Sequence, residues 1–324
     1  MKQKSLLHIV VGICIGLSIP ILFANQSTEE DEHPRSELPS PVVSPKVPDK
    51  IDFAGQSIDL HRADLHERMD REMLAFTYSH QLTLLMIKRA NRFFPIIEPI
   101  LKECGVPDDL KYLMVIESNV DPCIKSSAGA AGLWQFMPVS GREYGLEIND
   151  NIDERYHIEK ATRAACAYLK KSYTRFGDWM TVAAAYNGGP GSIIKKQSEQ
   201  GVESAMDMLL VEETSRYMFR ILAAKTIFTN PARYGFILRS EDLYPYIPPK
   251  EVITTTQQID NLATFAKEHG VTLAQLRNEN PWLRQNMMSN KSGRTYQLKI
   301  PDGKALFYNP KDTKAHDKNW VIDR

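Results

Sequence analysis

Between Asp59 and Phe228 the apolar positions recur mostly at helical spacing. Leu65, Met69, Met73 and Phe76 fall three or four residues apart, which places them on one helix face, and Leu82, Leu85 and Met86 continue such a face. Pro95 and Pro99 interrupt FFPIIEPILKECG. Proline lacks an N–H and crowds the carbonyl four residues back, so the pair predicts a kink or a short second helix, ended by Gly105. VPDDLKYLMVIES opens another helix, with Pro107 in its first turn and Asp108 and Asp109 at its positive end. Further helices are predicted within Asp153 to Phe176, from Trp179 to Tyr186 before NGGPG, and from Thr214 to Phe228 before Asn230-Pro231. Alternation of period two is scarce, so residues 56–245 are expected to fold as a mainly α domain.

Pro245, Pro248 and Pro249 mark a boundary. Beyond them EVITTTQQID is β-branched, LATFAKEHGVTLAQLRNEN carries two short helical faces broken at Gly270, and RTYQLKIP reads as a strand. Residues 251–301 therefore predict a small α+β module of order βααβ, followed by a polar tail over 302–324 with no readable role. At the other end, Lys2 and Lys4 precede an apolar run from Leu6 to Phe23, the pattern of an export signal over 1–24. Cleavage after Ala24 and retention as a membrane anchor both stay open, while Ile13 is too bulky for the usual lipoprotein pattern before Cys14. Residues 25–55 are acidic and then Pro-rich, a composition that buries no core and predicts an extended tether.

Composition narrows the partners. A chain of 324 residues that is 43% hydrophobic and 25% charged has the means to build real cores. Its 40 Lys and Arg balance 40 Asp and Glu, which argues against nucleic acid as a partner of the whole surface. Beyond the signal, Cys104, Cys123 and Cys166 allow at most one internal bridge. Cys104 and Cys123 flank the helix that carries Glu117, so a bridge between them is one reading; three buried thiols acting as small apolar side chains is the other. No Cys/His spacing resembles a metal site and no HExxH occurs, so metal catalysis is not expected; no cofactor of any other kind is expected either.

The chemistry concentrates between Tyr112 and Pro138. Glu117 follows LMVI on a helix, and burying a carboxylate costs several kcal/mol unless it is paired or protonated. Desolvation raises the pKa of such an acid and leaves it able to donate a proton near neutrality. A surface-facing or salt-bridged glutamate is the plainer alternative. After Ser118 the run SSAGAAGLWQ supplies small residues that let backbone approach a ligand. Ala185-Tyr186-Asn187 before GGPG, and Glu213-Thr214 leading to Tyr217, follow in order.

These motifs together resemble the soluble-lytic-transglycosylase-type domain, a lysozyme-like helical fold, over about residues 56–245, and in particular the membrane-bound lytic murein transglycosylase D group. The resemblance rests on Glu117-Ser118, Ser126 to Gly129, Gly132-Leu133-Trp134-Gln135, Ala185-Tyr186-Asn187 and Glu213-Thr214. Trp134 departs from the methionine of many members and is compatible with stacking or core packing. Residues 251–301 resemble a LysM module, with Gln258-Ile259-Asp260 in place of the usual Gly-Asp before the first helix.

The resemblance implies cleavage of the β-1,4 bond between N-acetylmuramic acid and N-acetylglucosamine in peptidoglycan glycan strands, with 1,6-anhydromuramyl ends as product. Glu117 would be the single acid and base. Ser126 and Gln135 would hydrogen-bond the sugar, Tyr186 would orient the acetamido group or the acid, and Asn187 would shape the cleft floor. Met137 would line the pocket, Glu213 would hold substrate or a neighbouring side chain, and Ser118, also a candidate contact, would fix local backbone. Two other readings remain: a hydrolytic muramidase with Asp121, Glu143 or Glu213 as second carboxylate, and an inactive wall-binding protein. In each case the expected location is the cell envelope, with possible membrane attachment through the N-terminus.

Overall fold

A computed structural model describes residues 42–291 and 293–323. The export signal and the tether up to residue 41 lie outside the described residues. In chain order β1 (Lys50–Phe53) and β2 (Gln56–Asp59) precede the helices α1 (Ala63–Tyr78), α2 (His80–Cys104), α3 (Lys111–Ser118), α4 (Pro138–Glu143), α5 (Ile158–Phe176), α6 (Trp179–Gly188), α7 (Pro190–Gln200) and α8 (Glu212–Thr229). Then come β3 (Pro249–Thr255), α9 (Leu262–Glu268), α10 (Leu273–Glu279) and β4 (Tyr296–Pro301). The order is mainly α followed by βααβ, as the periodicity predicts.

α8 is the axis of the helical core. Tyr217, Met218, Phe219, Ile221, Leu222 and Ala224 are all buried, so most of its circumference is apolar, as a central helix requires. α1, α3 and α6 pack against it, and α5 packs on α2 and α6. α1 buries the predicted stripe of Leu65, Met69, Met73 and Phe76. On α2, Met86 is buried but Leu82 is exposed, so the predicted face starts later than the sequence implied.

Three expectations give way. α2 runs unbroken through Pro95 and Pro99, held by the buried side chains Ala90, Phe94, Ile97 and Leu101. The burial outweighs the missing N–H groups, and the helix stops at Gly105, whose left-handed φ of 69° lets Val106 donate to Leu101 O at 2.9 Å. The tether ends earlier than residue 55: β1 and β2 pair around Ala54-Gly55, both at positive φ, and bury Ile51 and Phe53. The tail after Pro301 is anchored. Trp320 packs beside Phe94 and Phe228 and donates from Nε1 to Phe228 O at 2.7 Å, while Asn91 Oδ1 accepts from His316 N at 2.7 Å.

In the C-terminal module β3 and β4 pair antiparallel. Asn261 caps α9, and Thr272 with Gln275 forms a capping box on α10. Leu262, Ala266, Leu276, Trp282, Leu298 and Ile300 fill the core. That core is completed by Ala131, Ile152 and Tyr156 from the helical region.

Candidate active site

Every residue of α3 except Glu117 is buried, and Glu117 is half-buried. The helix ends directly after it. Asn119 and Val120 take left-handed φ values of 50° and 57°, which costs on the order of 1–3 kcal/mol for a β-branched residue. This sharp stop leaves the Glu117 carboxyl at a helix end facing α8. Its Oε1 accepts a hydrogen bond of 2.7 Å from the Tyr217 hydroxyl. Burial pushes the Glu117 pKa up to about 7; the Tyr217 bond and the Arg220 charge pull the other way, and the Glu213 charge adds to the rise.

The facing wall is the loop after Asp121. Ser126 Oγ accepts from Ala130 N at 3.0 Å, which closes the small-residue turn. Gly132 has φ of 75°, and a Cβ there would lie 1.9 Å from Arg155 O, so only glycine fits. Gln135 also sits at positive φ, 48°, with Nε2 donating to Gly132 O at 2.8 Å. Trp134 is fully buried and donates from Nε1 to Thr162 Oγ1 at 2.9 Å, which decides for core packing over stacking. Tyr186 on α6 donates to Trp134 O at 2.6 Å. Its hydroxyl is held well above the usual tyrosine range by burial and then by the Glu117 charge. A cavity of about 500 Å³ is lined by Gln135, Met137, Tyr144, Tyr168, Tyr186 and Asn187.

The fold thus brings Gln135, Met137, Tyr186 and Asn187 to one cavity, and sets Tyr186 and Tyr217 within electrostatic reach of Glu117. Asn187 Oδ1 accepts from Thr214 Oγ1 at 2.8 Å, tying α6 to α8. Glu213 is exposed, one turn before Tyr217 on α8. Ser126 is half-buried and braces its own loop. Ser118 is a correction: it is fully buried and its hydroxyl donates to Met114 O at 3.0 Å, so it faces the helix and not the cleft. Sequence reading noted Tyr217 without giving it a role, and it missed Arg220. Their signal was Glu213, Tyr217, Arg220 at i, i+4 and i+7 on one helix face.

Of the alternative carboxylates, Asp121 is engaged outside the cavity lining, while Glu143 lines the cavity and is held only by an exposed ion pair. Asp121 pairs with Arg89 at 2.9 Å and accepts from Cys123 N, and Glu143 pairs with Lys171 at 3.0 Å. The three cysteines among the described residues are all free thiols, so no Cys104–Cys123 bridge exists, and Cys123 is exposed rather than buried.

Comparison with known proteins matches two stretches of the chain. Residues 94–208 match the Transglycosylase SLT domain, and residues 251–304 match the Soluble lytic transglycosylase C-terminal LysM-like domain. Membrane-bound lytic murein transglycosylase D of Escherichia coli (strain K12) is 34% identical over 183 residues, covering 55% of this chain and 40% of the relative. Peptidoglycan transglycosylase gp16 of Escherichia phage T7 is 32% identical over 117 residues, 36% of this chain and 9% of the relative. Among solved structures, the lytic transglycosylase Slt of Pseudomonas aeruginosa, an inactive mutant, aligns at 22% identity and a TM-score of 0.38, covering 52% of this chain and 29% of that one. The chain spans about 40% of the length of the first of these relatives. Residues 94–208 are thus similar to an SLT transglycosylase domain and residues 251–304 to a LysM-like C-terminal domain.

Proposed function

We propose that the protein is a peptidoglycan lytic transglycosylase of the cell envelope. The observation that carries this reading is a half-buried carboxyl, Glu117, with its pKa raised to about 7, one oxygen fixed by Tyr217, and within electrostatic reach of Tyr186, which lines a cavity with amide and phenol groups. With Oε1 occupied by the Tyr217 hydroxyl, Oε2 is the atom left to carry the proton. Protonated Glu117 gives that proton to the glycosidic oxygen as the C1–O bond breaks, and N-acetylglucosamine leaves with its hydroxyl restored. The acetamido oxygen of the muramic residue stabilises the charge at C1. Glu117, now ionised, takes the proton from the C6 hydroxyl while O6 bonds to C1, so no water is consumed. One group acting as acid and then base needs a pKa near the working pH, which burial supplies.

In this reading Gln135 and Tyr186 hold the sugar, Met137 and Asn187 bound its pocket, and Glu213 raises the acid's pKa from the rim. Partners are glycan strands, and the N-terminal segment would deliver the protein to the envelope. The names of the relatives and the match to a LysM-like domain support the substrate class. No helix among the described residues is long and apolar enough to cross a membrane. The test is digestion of purified sacculi with mass spectrometry of the muropeptides. Anhydromuramyl ends from the parent, and their loss in Glu117→Gln, are expected. Only reducing muramic ends would overturn the reading in favour of a hydrolase.

A further inference from the structure

Two hydrogen-bond networks meet in the segment between Glu147 and Glu159. The first runs towards the site. Asp153 takes a bidentate contact from buried Arg155, Nε to Oδ1 at 2.9 Å and Nη2 to Oδ2 at 2.7 Å. The remaining arm of the guanidinium, Nη1, donates to Gly129 O at 2.7 Å and Phe136 O at 3.1 Å. These carbonyls are the two ends of the loop that carries Gln135, and Phe136 O also accepts from Ala131 N at 3.1 Å.

The second network runs towards the C-terminal module. Asp153 N donates to Trp282 O and Arg284 N donates to Asn151 O, each at 2.9 Å, so the two segments pair as a short antiparallel bridge at Ile152 and Leu283. Asn151 Nδ2 donates to Met287 O at 2.7 Å and its Oδ1 accepts from Ser289 N at 2.8 Å. Tyr296 donates to Glu147 Oε2 at 2.8 Å, and Lys299 pairs with Glu159. Ala131, inside the loop, and Ile152 are both fully buried in the module's own core.

We propose that the LysM-like module is a fixed brace behind the cleft, which acts through Asp153 and Arg155 to set the backbone of the loop from Ser126 to Phe136 and hence the place of Gln135. A module hung on a linker would keep its core closed by its own residues. This one needs Ala131, Ile152 and Tyr156 to close it, and detachment would expose them together with Trp282 and Leu283. The clamp also calls for arginine. A single ammonium cannot hold a carboxylate and two carbonyls on separate strands of a loop in one plane, whereas the guanidinium fork does. Arg155 is thus a positioning residue: it touches the loop, not the bond to be cleaved.

The catalytic consequence rests on the transglycosylase reading; the clamp itself does not. The experiment uses the full chain with Arg155→Lys, which keeps a cation beside Asp153 and loses the fork, and with Asn151→Ala, which removes two bonds across the seam outside the cleft. Amide exchange over residues 124–136 is measured beside the melting temperature and the turnover of a soluble glycan of two disaccharide units, short enough that polymer avidity adds nothing. The expected result is faster exchange in that loop by at least roughly tenfold in both variants, with α1 and α8 unchanged. A fall in kcat of about tenfold, with KM held within about twofold, is expected alongside it. Unchanged exchange over 124–136 in both variants overturns the clamp. A parent that cleaves no glycan overturns the proposed activity instead, and the exchange data still decide the clamp.

Discussion

Tyr217→Phe isolates one hydroxyl in the candidate site. The ring is almost fully buried and its shape is kept, so packing on α8 is preserved. What is lost is the 2.7 Å bond to Glu117 Oε1, which opposes the effect of burial on that acid. A hydrogen bond to a charged group contributes about 1.5–3 kcal/mol, and one pKa unit corresponds to about 1.4 kcal/mol. Glu117 should therefore titrate roughly one to two units above its parent value of about 7. The sign for stability follows. Because the folded-state pKa is raised, the contribution of Glu117 is complete below its ordinary value of 4.5 and is lost as pH rises through about 7. In the variant that loss moves to higher pH. The assay is a 13C NMR titration of the glutamate carboxyls, with Glu117 assigned by comparison with Glu117→Gln. It is run beside the pH dependence of kcat/KM, whose alkaline limb should shift by the same amount. A midpoint equal to or below the parent's would refute the account, since it would mean that Tyr217 does not favour the ionised acid.

Other outcomes follow from the same geometry. Glu117→Gln removes a carboxyl whose ionisation opposes folding, so urea melts should show the variant more stable than the parent at pH 8, by up to about 3 kcal/mol, and equal to it at pH 4. Gly132→Ala places a methyl group 1.9 Å from Arg155 O at a positive φ and should cost about 3 kcal/mol or more, read as a lower melting temperature and faster exchange in the loop after Ile124. Trp320→Ala should cost about 3–5 kcal/mol in denaturant melts, although it lies in the C-terminal tail, because it empties a site between Phe94 and Phe228.

Much of the protein was determined by local pattern alone. The stripe on α1, the apolar run of α3 with its one acid, the βααβ order after Pro249 and the caps at Asn261 and Thr272 are short-range features. Their causes, side-chain periodicity and capping chemistry, lie within a few residues of each other. Glu117, Gln135, Tyr186 and Asn187 stood out because they fall in the motifs that carry the resemblance, and Met137 was named only by analogy with that family. Other features depended on long-range contact. Whether Pro95 and Pro99 break α2 was decided by burial of that helix, and whether the tail mattered was decided by Trp320 reaching Phe228. The role of Ser118 turned on which side of α3 it faces, and Tyr217 became part of the site only when α8 crossed α3. The raised pKa of Glu117 belongs to the same class, since desolvation is a property of everything packed around the acid, and no stretch of sequence near residue 117 contains α8.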